Sequence, residues 1–549
     1  MLSSLVARRI WRRKAQIWVR WISCDSCGIE LQNQNGERAG FYRKPEYEWA
    51  NTRQVRPKTL QDVKYILFGH DIHRLKDEGS GMDMLKSETR KSSVICKRCC
   101  DALHHNRYRM EEFADKTLEE VQSKIPRDSN VFHAVPLTDF PLHMNLAVLR
   151  ASAYRTSLVL TKGDQITASK SLLQRKAPRF FKDFLKSRIG YDSNKIVAVA
   201  AKNGWNLQSL FSVLSNNSYL VGSANAGKST LVNTLIKVYG GLKKRTETLQ
   251  PTAVESSRSL AAQQTGVSHI PNLTRSIQAF EIGGKTVYDL PGYSERAEAN
   301  ARLDRLVERS LLERIRKTQL FKKSKLVKKS YCSVKGTQSK NCYTVSGIFY
   351  LIPPPGSINQ VVNFIPGVER QYKCFERALE IAESCLKNST EAPLKKYVGV
   401  QKPLTLKENF VRHIIPPFQG TIELAFKDIG YIQLKTTGKY EFHGLHEIWV
   451  PKDIEICVRE PLERLINESY ERFIETNGRK MACPVKREII SSTYPMSENE
   501  PNTLLKMEEM FLERTKNDIM ARNMLKGDPM TLLGRLHDEP PNLFWFYRW

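Results

Sequence analysis

The sequence contains no uninterrupted apolar run of roughly 18 residues, the length a helix needs to cross a bilayer, so it predicts no transmembrane span. Acidic residues are also scarce. The 58 Asp and Glu stand against 86 Lys and Arg, which leaves a formal net charge of +28 over 549 residues. Such an excess favours polyanionic partners, and both nucleic acid and an anionic membrane surface remain open as alternatives.

Acidic residues are missing altogether from residues 1–23, where six positive residues occur: Arg8, Arg9, Arg12, Arg13, Lys14 and Arg20. Charges interrupt the apolar residues every few positions, which argues against a secretory signal and is typical of a mitochondrial transit peptide. The sequence therefore predicts a transit peptide over residues 1–23 and a mitochondrial location, in the matrix or at the inner membrane. A basic arm that stays on the protein and touches RNA is the alternative.

The eleven cysteines do not suggest a disulfide framework. Four of them form two CxxC pairs: Cys24, Cys27, Cys96 and Cys99. Four thiolates suit a tetrahedral structural Zn²⁺ site. The two pairs are far apart for a compact finger, and Cys100, His104 and His105 are nearby substitutes as ligands. The scattered remaining cysteines are interpreted as reduced core residues.

The segment GSANAGKST, at 222–230, matches the phosphate loop of nucleotide-binding proteins. It lies between a short apolar strand pattern at 219–221 and an amphipathic helix pattern at 228–237. We expect the glycines to let backbone N–H groups surround a β-phosphate, while Lys228 reaches the β/γ oxygens and Ser229 binds Mg²⁺. This motif alone does not choose between ATP and GTP.

Two further segments favour guanine. TKGD, at 161–164, follows an apolar strand pattern, and AAKNG begins at Ala200 after a second one. Asp164 is expected to pair with the guanine N1–H and 2-amino groups, with Lys162 along the base plane and the Ala201 N–H at O6. An ordinary loop after a strand is the alternative for TKGD. Since Thr161 stands where Asn is usual, we expect guanine preference with weaker affinity.

A hairpin closed by Gly283-Gly284 leads into DLPG at 289–292. Asp289 is expected to hold Mg²⁺ through water, Thr274 of PNLT to close over the metal, and the Gly292 N–H to sense the γ-phosphate. The expected Mg²⁺ ligands are Ser229, Thr274 and Asp289. The expected GTP-binding residues are Lys162, Asp164, Ala201, Lys202, Gly222, Asn225, Gly227, Lys228, Ser229, Thr230, Asp289 and Gly292.

The base-reading segments precede the phosphate-reading ones, which reverses the usual order. With the paired cysteines, GVSHIPNLTRS (266–276), GIFYLIPP (347–354) and GLHEIWVP (444–451), this order resembles the YqeH-type circularly permuted GTPases, and most closely a fungal mitochondrial branch of them. The resemblance implies a GTPase that assists assembly of the mitochondrial small ribosomal subunit and binds its rRNA or pre-ribosome. It also implies a genetic link to prohibitins and mitochondrial lipid metabolism.

The resemblance bears on catalysis as well. Tyr293 follows DLPG where many GTPases place the Gln that orients water. Asn225 stands where ribosome-linked GTPases ligate K⁺, which there replaces an arginine finger; alternatively, Asn225 only tolerates a left-handed backbone angle. Asn225 and Lys228 are therefore the expected catalytic residues, with hydrolysis slow and K⁺-dependent.

After DLPG, apolar residues at helical spacing over 303–315 predict an amphipathic helix, followed by an acid-free cationic stretch at 314–329. Either the stretch grips RNA phosphates or it is a solvated charged face. Strand patterns begin at Gly347. The predicted fold is an α/β P-loop GTPase domain (129–300), circularly permuted with a mostly parallel sheet, between a zinc-binding domain (24–128) and a basic, RNA-binding α+β domain (301–549).

Three functions remain open at the level of sequence. The favoured one is a GTPase in small-subunit assembly, with GTP/GDP, Mg²⁺, structural Zn²⁺ and K⁺ as cofactors. The second is a peripheral membrane protein of lipid homeostasis that uses its charge to hold anionic lipid. The third is a nucleotide-gated RNA binder that scarcely hydrolyses GTP.

Overall fold

The computed structural model describes residues 23–42, 94–240, 266–294 and 303–496, apart from short breaks inside these ranges. The predicted transit peptide therefore lies outside the described residues except for Ser23, as does most of the cationic stretch after residue 317. None of the helices in the described ranges combines the length and the apolarity needed to span a bilayer.

Helices of the described ranges alternate with strands in the first half of the chain and are sparser afterwards. The α-helices are α1 (Lys97–His104), α2 (Leu118–Gln122), α3 (Leu146–Leu149), α4 (Ala177–Ile189), α5 (Leu207–Val213), α6 (Lys228–Tyr239), α7 (Arg309–Lys317), α8 (Phe375–Lys387) and α9 (Leu462–Glu475). A π-helical turn at Leu172–Lys176 leads directly into α4.

The first sheet contains the strands β1 (Asn130–Pro136), β2 (Arg155–Thr161), β3 (Ile196–Ala198), β4 (Ser218–Val221), β5 (Gln278–Ile282) and β6 (Lys285–Asp289). Their spatial order is β3-β2-β1-β4-β6-β5. All pairs are parallel except the β5–β6 hairpin. The predicted mostly parallel sheet is thus confirmed.

Parallel strands are buried on both faces, which is why β2 carries the continuous apolar run Leu158, Val159 and Leu160, each fully buried. The carboxyl ends of parallel strands meet at one edge of the sheet. TKGD follows β2, the phosphate loop follows β4 and DLPG begins at the end of β6. The sheet therefore brings three segments that are distant in sequence to one edge.

The β5–β6 hairpin turns through Gly283 and Gly284, whose φ angles are 56° and 75°. Positive φ at both central residues is the requirement of a type I′ turn, and glycine meets it at little steric cost. The hairpin predicted from the Gly-Gly pair is present with the expected turn.

The second half of the described chain forms two antiparallel sheets. The strands are β7 (Cys332–Lys335), β8 (Cys342–Val345), β9 (Tyr350–Ile352), β10 (Ile358–Asn363), β11 (Glu369–Tyr372), β12 (Phe410–Ile415), β13 (Thr421–Phe426), β14 (Gly430–Thr437), β15 (His446–Pro451), β16 (Ile456–Arg459), β17 (Ile490–Ser491) and β18 (Tyr494–Met496). One sheet has the order β17-β16-β13-β14-β10-β7 and the other β11-β8-β9-β15-β12-β18.

The amphipathic helix expected over 303–315 is interrupted. Val307 forms an isolated bridge with Val400, and the Glu308 N–H donates to the Gly399 carbonyl at 2.8 Å, so α7 begins only at Arg309. The apolar periodicity still predicts burial correctly, because Val307 and Leu311 both lie in the core of the antiparallel sheets. Here a tertiary backbone contact overrides local helical propensity.

A second boundary also differs from the sequence pattern. The strand expected at Gly347 begins only at Tyr350, because Ser346 and Gly347 turn the chain with φ angles of 52° and 82°.

Arg459 of β16 joins the antiparallel sheets to the loop that follows β1. Its Nε donates to Glu423 Oε2 at 2.8 Å. Its two terminal nitrogens donate to three backbone carbonyls of that loop, those of Leu137, Thr138 and Phe140, at 2.6–3.1 Å. The side chain is fully buried, so every one of these bonds lies away from water.

We predict that Arg459→Ala destabilises the protein by about 3–5 kcal/mol, because it leaves Glu423 buried without its cation and three carbonyls without donors. The measurement is the midpoint of thermal unfolding. Arg464→Ala, which removes an exposed ion pair with Glu468 on α9, is the matched control and should shift the midpoint little. Equal shifts in both variants would contradict the structural role of Arg459.

Candidate functional site

The phosphate loop has the strand–loop–helix arrangement that its motif requires, running from β4 through residues 222–227 into α6. A Cβ at Gly222 would lie 2.6 Å from the Ala134 carbonyl oxygen, so only glycine fits beside β1. Asn225 and Gly227 adopt left-handed φ angles of 58° and 91°. Lys228 is buried, and its Nζ donates to the carbonyls of Gly222 at 2.9 Å and Ser223 at 2.8 Å.

Three oxygen-bearing side chains meet beside this loop. Ser229 Oγ donates to Asp289 Oδ2 at 2.6 Å and lies 3.4 Å from Thr274 Oγ1. Asp289 is fully buried, and its Oδ1 has no hydrogen-bond partner among the described residues. Hydroxyl and carboxylate oxygens are the ligands that Mg²⁺ prefers, so a buried carboxylate oxygen left without a donor fits a Mg²⁺ site.

Burial shifts the pKa values of Asp289 and Lys228 towards their neutral forms. Desolvation raises the pKa of Asp289 to about 6, although Lys228 and Ser229 oppose the shift. Desolvation also lowers the pKa of Lys228 to about 8, against the attraction of Asp289. Both groups are therefore held in water-poor surroundings where a bound cation and a bound phosphate would each restore the charged form.

The predicted base-reading residues lie at the same carboxyl edge of the parallel sheet, at the end of β2. Asp164 follows β2, and burial raises the pKa of its carboxyl group. Asn203 Nδ2 donates to Asp164 Oδ2 over 3.4 Å. Thr161, the departure from the usual Asn, donates its hydroxyl to the Ala226 carbonyl at 2.6 Å. This bond ties the base-reading segment directly to the phosphate loop.

These segments enclose one cleft of about 280 Å³. Among the predicted ligands, the cleft is lined by Lys162, Asp164, Ala201, Lys202, Asn225, Gly227, Lys228, Ser229, Thr230, Thr274 and Gly292. Gly222 and Asp289 are buried and do not line it. The cleft therefore brings the predicted base-reading and phosphate-reading residues to a common space.

Gly292 packs against the phosphate loop, where a Cβ would come within 2.6 Å of the Ala224 Cα. The next residue, Tyr293, lies outside the lining of the cleft. It forms bridges with Ser223 and Lys116, is 2% exposed, and belongs to an apolar cluster with Val131. Tyr293 does not line the cleft and is not placed to orient a water molecule there.

Arg316 of α7 was not predicted, yet it lines the cleft together with Asn225 and Lys228. It also lines a smaller crevice beside Asp139 and Asp428. Its helix packs into the core of the antiparallel sheets through Leu311, so a residue from the second half of the chain reaches the nucleotide side. The only sequence signal for Arg316 was its position in the cationic stretch at 314–329.

A polar cluster centred on the buried His143, in contact with the phosphate loop, was also not predicted. Ser223 Oγ lies 2.8 Å from His143 Nδ1, and His143 Nε2 lies 2.7 Å from Asp139 Oδ2 and 3.4 Å from Asp428 Oδ1. Burial disfavours the imidazolium, but the two carboxylates outweigh it and raise the pKa of His143 to about 9. Only Asp139 and His143 are close in sequence, so no short motif joins all four residues.

Cys24, Cys27, Cys96 and Cys99 form one buried cluster whose sulfur atoms all lie within 4.8 Å of one another. The Cys27 and Cys96 sulfurs are 3.9 Å apart. A tetrahedral Zn²⁺ with bonds of about 2.3 Å separates its sulfurs by about 3.8 Å, so the spacing fits that ion. The alternative ligands Cys100, His104 and His105 are not part of the cluster.

The fold and the cleft define the class: the chain contains a P-loop GTPase domain with a mostly parallel sheet. Residues 217–322 match a family model described as "50S ribosome-binding GTPase". Residues 23–113 and 329–535 match the models of the "Genetic interactor of prohibitins 3" N-terminal domain and C-terminal domain. The chain belongs to the genetic interactor of prohibitins 3 family.

Its relatives include mitochondrial genetic interactor of prohibitins 3 proteins of three yeasts. The Lachancea thermotolerans protein is 50% identical, covering 97% of each chain. The Zygosaccharomyces rouxii protein is 47% identical over 96% of this chain and 94% of its own. A Saccharomyces cerevisiae protein is 44% identical over 96% of each. The predicted family and the mitochondrial location are confirmed: this is a mitochondrial GTPase-domain protein.

We predict that the stability contributed by His143 depends on pH. Because its folded pKa is raised from 6.5 to about 9, the contribution is fully present below pH 6.5 and is lost as the pH rises through 9. The parent should therefore exceed His143→Gln in unfolding free energy by about 2–4 kcal/mol at pH 6, and by much less at pH 9.5. Denaturant titrations of both proteins at each pH measure this, and a pH-independent difference would refute a charged His143.

Proposed function

We propose that the protein is a Mg²⁺-dependent, guanine-specific GTPase whose nucleotide state governs an RNA contact during assembly of the mitochondrial small ribosomal subunit. The nucleotide part rests on one observation: Asp164, Lys228 and Thr274 line a single cleft. The ribosomal part rests on the sequence resemblance, on the net charge of +28 and on the ribosome-binding name of the matching GTPase family.

We interpret the domain as circularly permuted. In support, β2 with its base-reading segment precedes β4 with its phosphate loop along the chain, while β1 lies between them in the sheet. The proposed boundaries are 24–128 for the zinc-binding domain, 129–300 for the GTPase domain and 301–549 for the basic C-terminal domain. In this arrangement DLPG leads towards α7, whose Arg316 returns to the cleft.

Within the cleft, each group has a proposed role. Asp164 recognises the guanine edge, with Lys162 along the base, and the loop N–H groups and Lys228 hold the phosphates. Ser229, Thr274 and Asp289 would hold Mg²⁺, which neutralises phosphate charge when bound. Because Tyr293 is buried away from the cleft, no side chain at that position orients water, and we expect slow intrinsic hydrolysis.

The cysteine cluster is proposed to hold a structural Zn²⁺ through Cys24, Cys27, Cys96 and Cys99. Its support is the burial of all four sulfurs and their tetrahedral spacing. Such a site stabilises a region that has few other means of forming a core.

We propose that Asn225 ligates K⁺ during hydrolysis, and the structure allows this to be separated from a purely backbone role. Asn225 has a φ of 58°, which alanine tolerates poorly and glycine tolerates well. If the carboxamide holds K⁺, both Asn225→Gly and Asn225→Ala should lose the stimulation by K⁺ over Na⁺, which we expect to be on the order of tenfold. The readout is phosphate release under single turnover. Retained stimulation in Asn225→Gly, with loss only in Asn225→Ala, would favour the backbone role.

The RNA partner is tested by ultraviolet cross-linking of the tagged, full-length protein in intact mitochondria, followed by sequencing of the recovered RNA. We expect enrichment of one region of the small-subunit rRNA, and reduced recovery of that region with Lys228→Ala, which cannot hold nucleotide phosphates.

Enrichment of large-subunit rRNA would instead favour the partner stated in the name of the GTPase family. Recovery of no RNA above background would refute the ribosomal proposal. It would favour the alternative of a peripheral membrane protein, because the net charge of +28 also suits an anionic membrane surface.

A further inference from the structure

The segment that carries Thr274 is held by the region of the cysteine cluster. We call residues 23–42, 94–113 and Lys116 the cysteine module. The backbone N–H groups of Arg275 and Ser276 donate to the Cys27 carbonyl at 2.9 and 3.2 Å. The Gly266 N–H donates to the Ser26 carbonyl at 3.1 Å. The main chain of one CxxC pair therefore accepts hydrogen bonds from residues on both sides of Thr274.

The second CxxC pair contributes through Arg98. Its Nη1 donates to the Glu112 carbonyl at 2.9 Å, and its Nη2 donates to the Leu273 carbonyl at 3.2 Å. The guanidinium also lies 4.5 Å from the centre of the Phe113 ring and contacts Cys99 Sγ at 3.9 Å. One side chain between two cysteine ligands thus reaches the residue next to Thr274.

Apolar packing also joins the cysteine module to the segment around Thr274. Ile270 and Leu273 are 2% and 4% exposed and lie in one cluster with the four cysteines and Phe113. Asn272 Nδ2 donates to the Phe113 carbonyl at 3.3 Å. Lys116 Nζ adds a hydrogen bond to the Arg275 carbonyl at 2.5 Å.

By contrast, the contact of this segment with the phosphate loop is longer. The hydrogen bond between Thr274 and Ser229 spans 3.4 Å, which is long for two hydroxyl groups. In many GTPases the first switch is ordered by the γ-phosphate and Mg²⁺ and released after hydrolysis. In this protein the segment around Thr274 also receives hydrogen bonds from residues outside the nucleotide cleft, namely those of the cysteine module.

We propose that the cysteine module is a positioning element that holds Thr274 at the metal-binding oxygens, so that the Mg²⁺ dependence of GTP binding is coupled to the metal-loaded state of Cys24, Cys27, Cys96 and Cys99. This inference rests on the proposed function of the cleft. A segment that is already in place loses less conformational freedom when Mg²⁺ binds, so the intact module strengthens Mg²⁺-dependent binding.

The test compares Arg98→Ala with Lys97→Ala in the full-length protein. The two substitutions remove one positive charge each from neighbouring positions of α1. Lys97 is exposed, and among the described residues it makes no hydrogen bond to the segment around Thr274. Three quantities are measured: the zinc content, the rate of trypsin cleavage after Arg275 in the nucleotide-free protein, and the Mg²⁺ concentration that gives half-maximal binding of a fluorescent GTP analogue.

With zinc retained, Arg98→Ala should be cleaved faster after Arg275 and should need on the order of tenfold more Mg²⁺, while Lys97→Ala behaves as the parent. Arg98→Ala that retains zinc and matches Lys97→Ala in both measurements would overturn the proposal. Should Arg98→Ala lose zinc, Lys116→Met decides, because it removes a bond to Arg275 without touching the cysteines. A smaller shift in the same direction supports the proposal, and parent-like behaviour overturns it.

The design separates failure of this inference from failure of the proposed function. If the parent binds no GTP at any Mg²⁺ concentration, the proposed function is refuted, while trypsin cleavage of the nucleotide-free protein still tests whether the cysteine module holds the segment around Thr274. If the parent binds GTP with a clear Mg²⁺ dependence that neither Arg98→Ala nor Lys116→Met alters, only the positioning role of the cysteine module is refuted.

Discussion

The buried guanidinium of Arg459 is the contact on which the arrangement of the nucleotide site depends. It binds three carbonyls of the loop after β1 while it pairs with Glu423 in the antiparallel sheet. The same loop carries Asp139, whose carboxylate holds His143, and His143 in turn meets Ser223 of the phosphate loop. Because Arg459, Asp139 and His143 are buried, breaking one of their bonds leaves a desolvated polar atom without a partner. The second half of the chain therefore supports the phosphate loop through buried hydrogen bonds.

Burial of charged groups at the cleft costs free energy, which bound ligands can offset. Asp289 and Lys228 are both buried, and burial moves the pKa of each towards its neutral form. The rest of the site is held in place from outside: Thr161 ties TKGD to Ala226, and the cysteine module holds the segment around Thr274. Hydrogen bonds from several sides thus fix the segments that carry the charged groups, which is the arrangement expected for a preorganised binding site.

Sequence reasoning succeeded where the physical rule was local. The Gly-Gly pair predicted the β5–β6 turn because only positive φ angles close such a hairpin. The apolar pattern after the phosphate loop predicted α6, which ends at Tyr239. Sequence reasoning failed where the backbone conformation depends on a residue distant in sequence. Val307 pairs with Val400 instead of continuing a helix. Roles of individual residues in the cleft, such as K⁺ ligation by Asn225, stay predictions.

The sequence by itself determined the family and the phosphate loop and predicted the ligand types, because these depend on residue identity at short spacing. It also predicted the mitochondrial location through the character of residues 1–23. Only the tertiary structure decided that Arg98 reaches Leu273, that His143 lies behind Ser223, and that Arg316 lines the cleft. These contacts join residues far apart in the chain, and packing of buried surfaces, which has no short-range signature, is what brings them together.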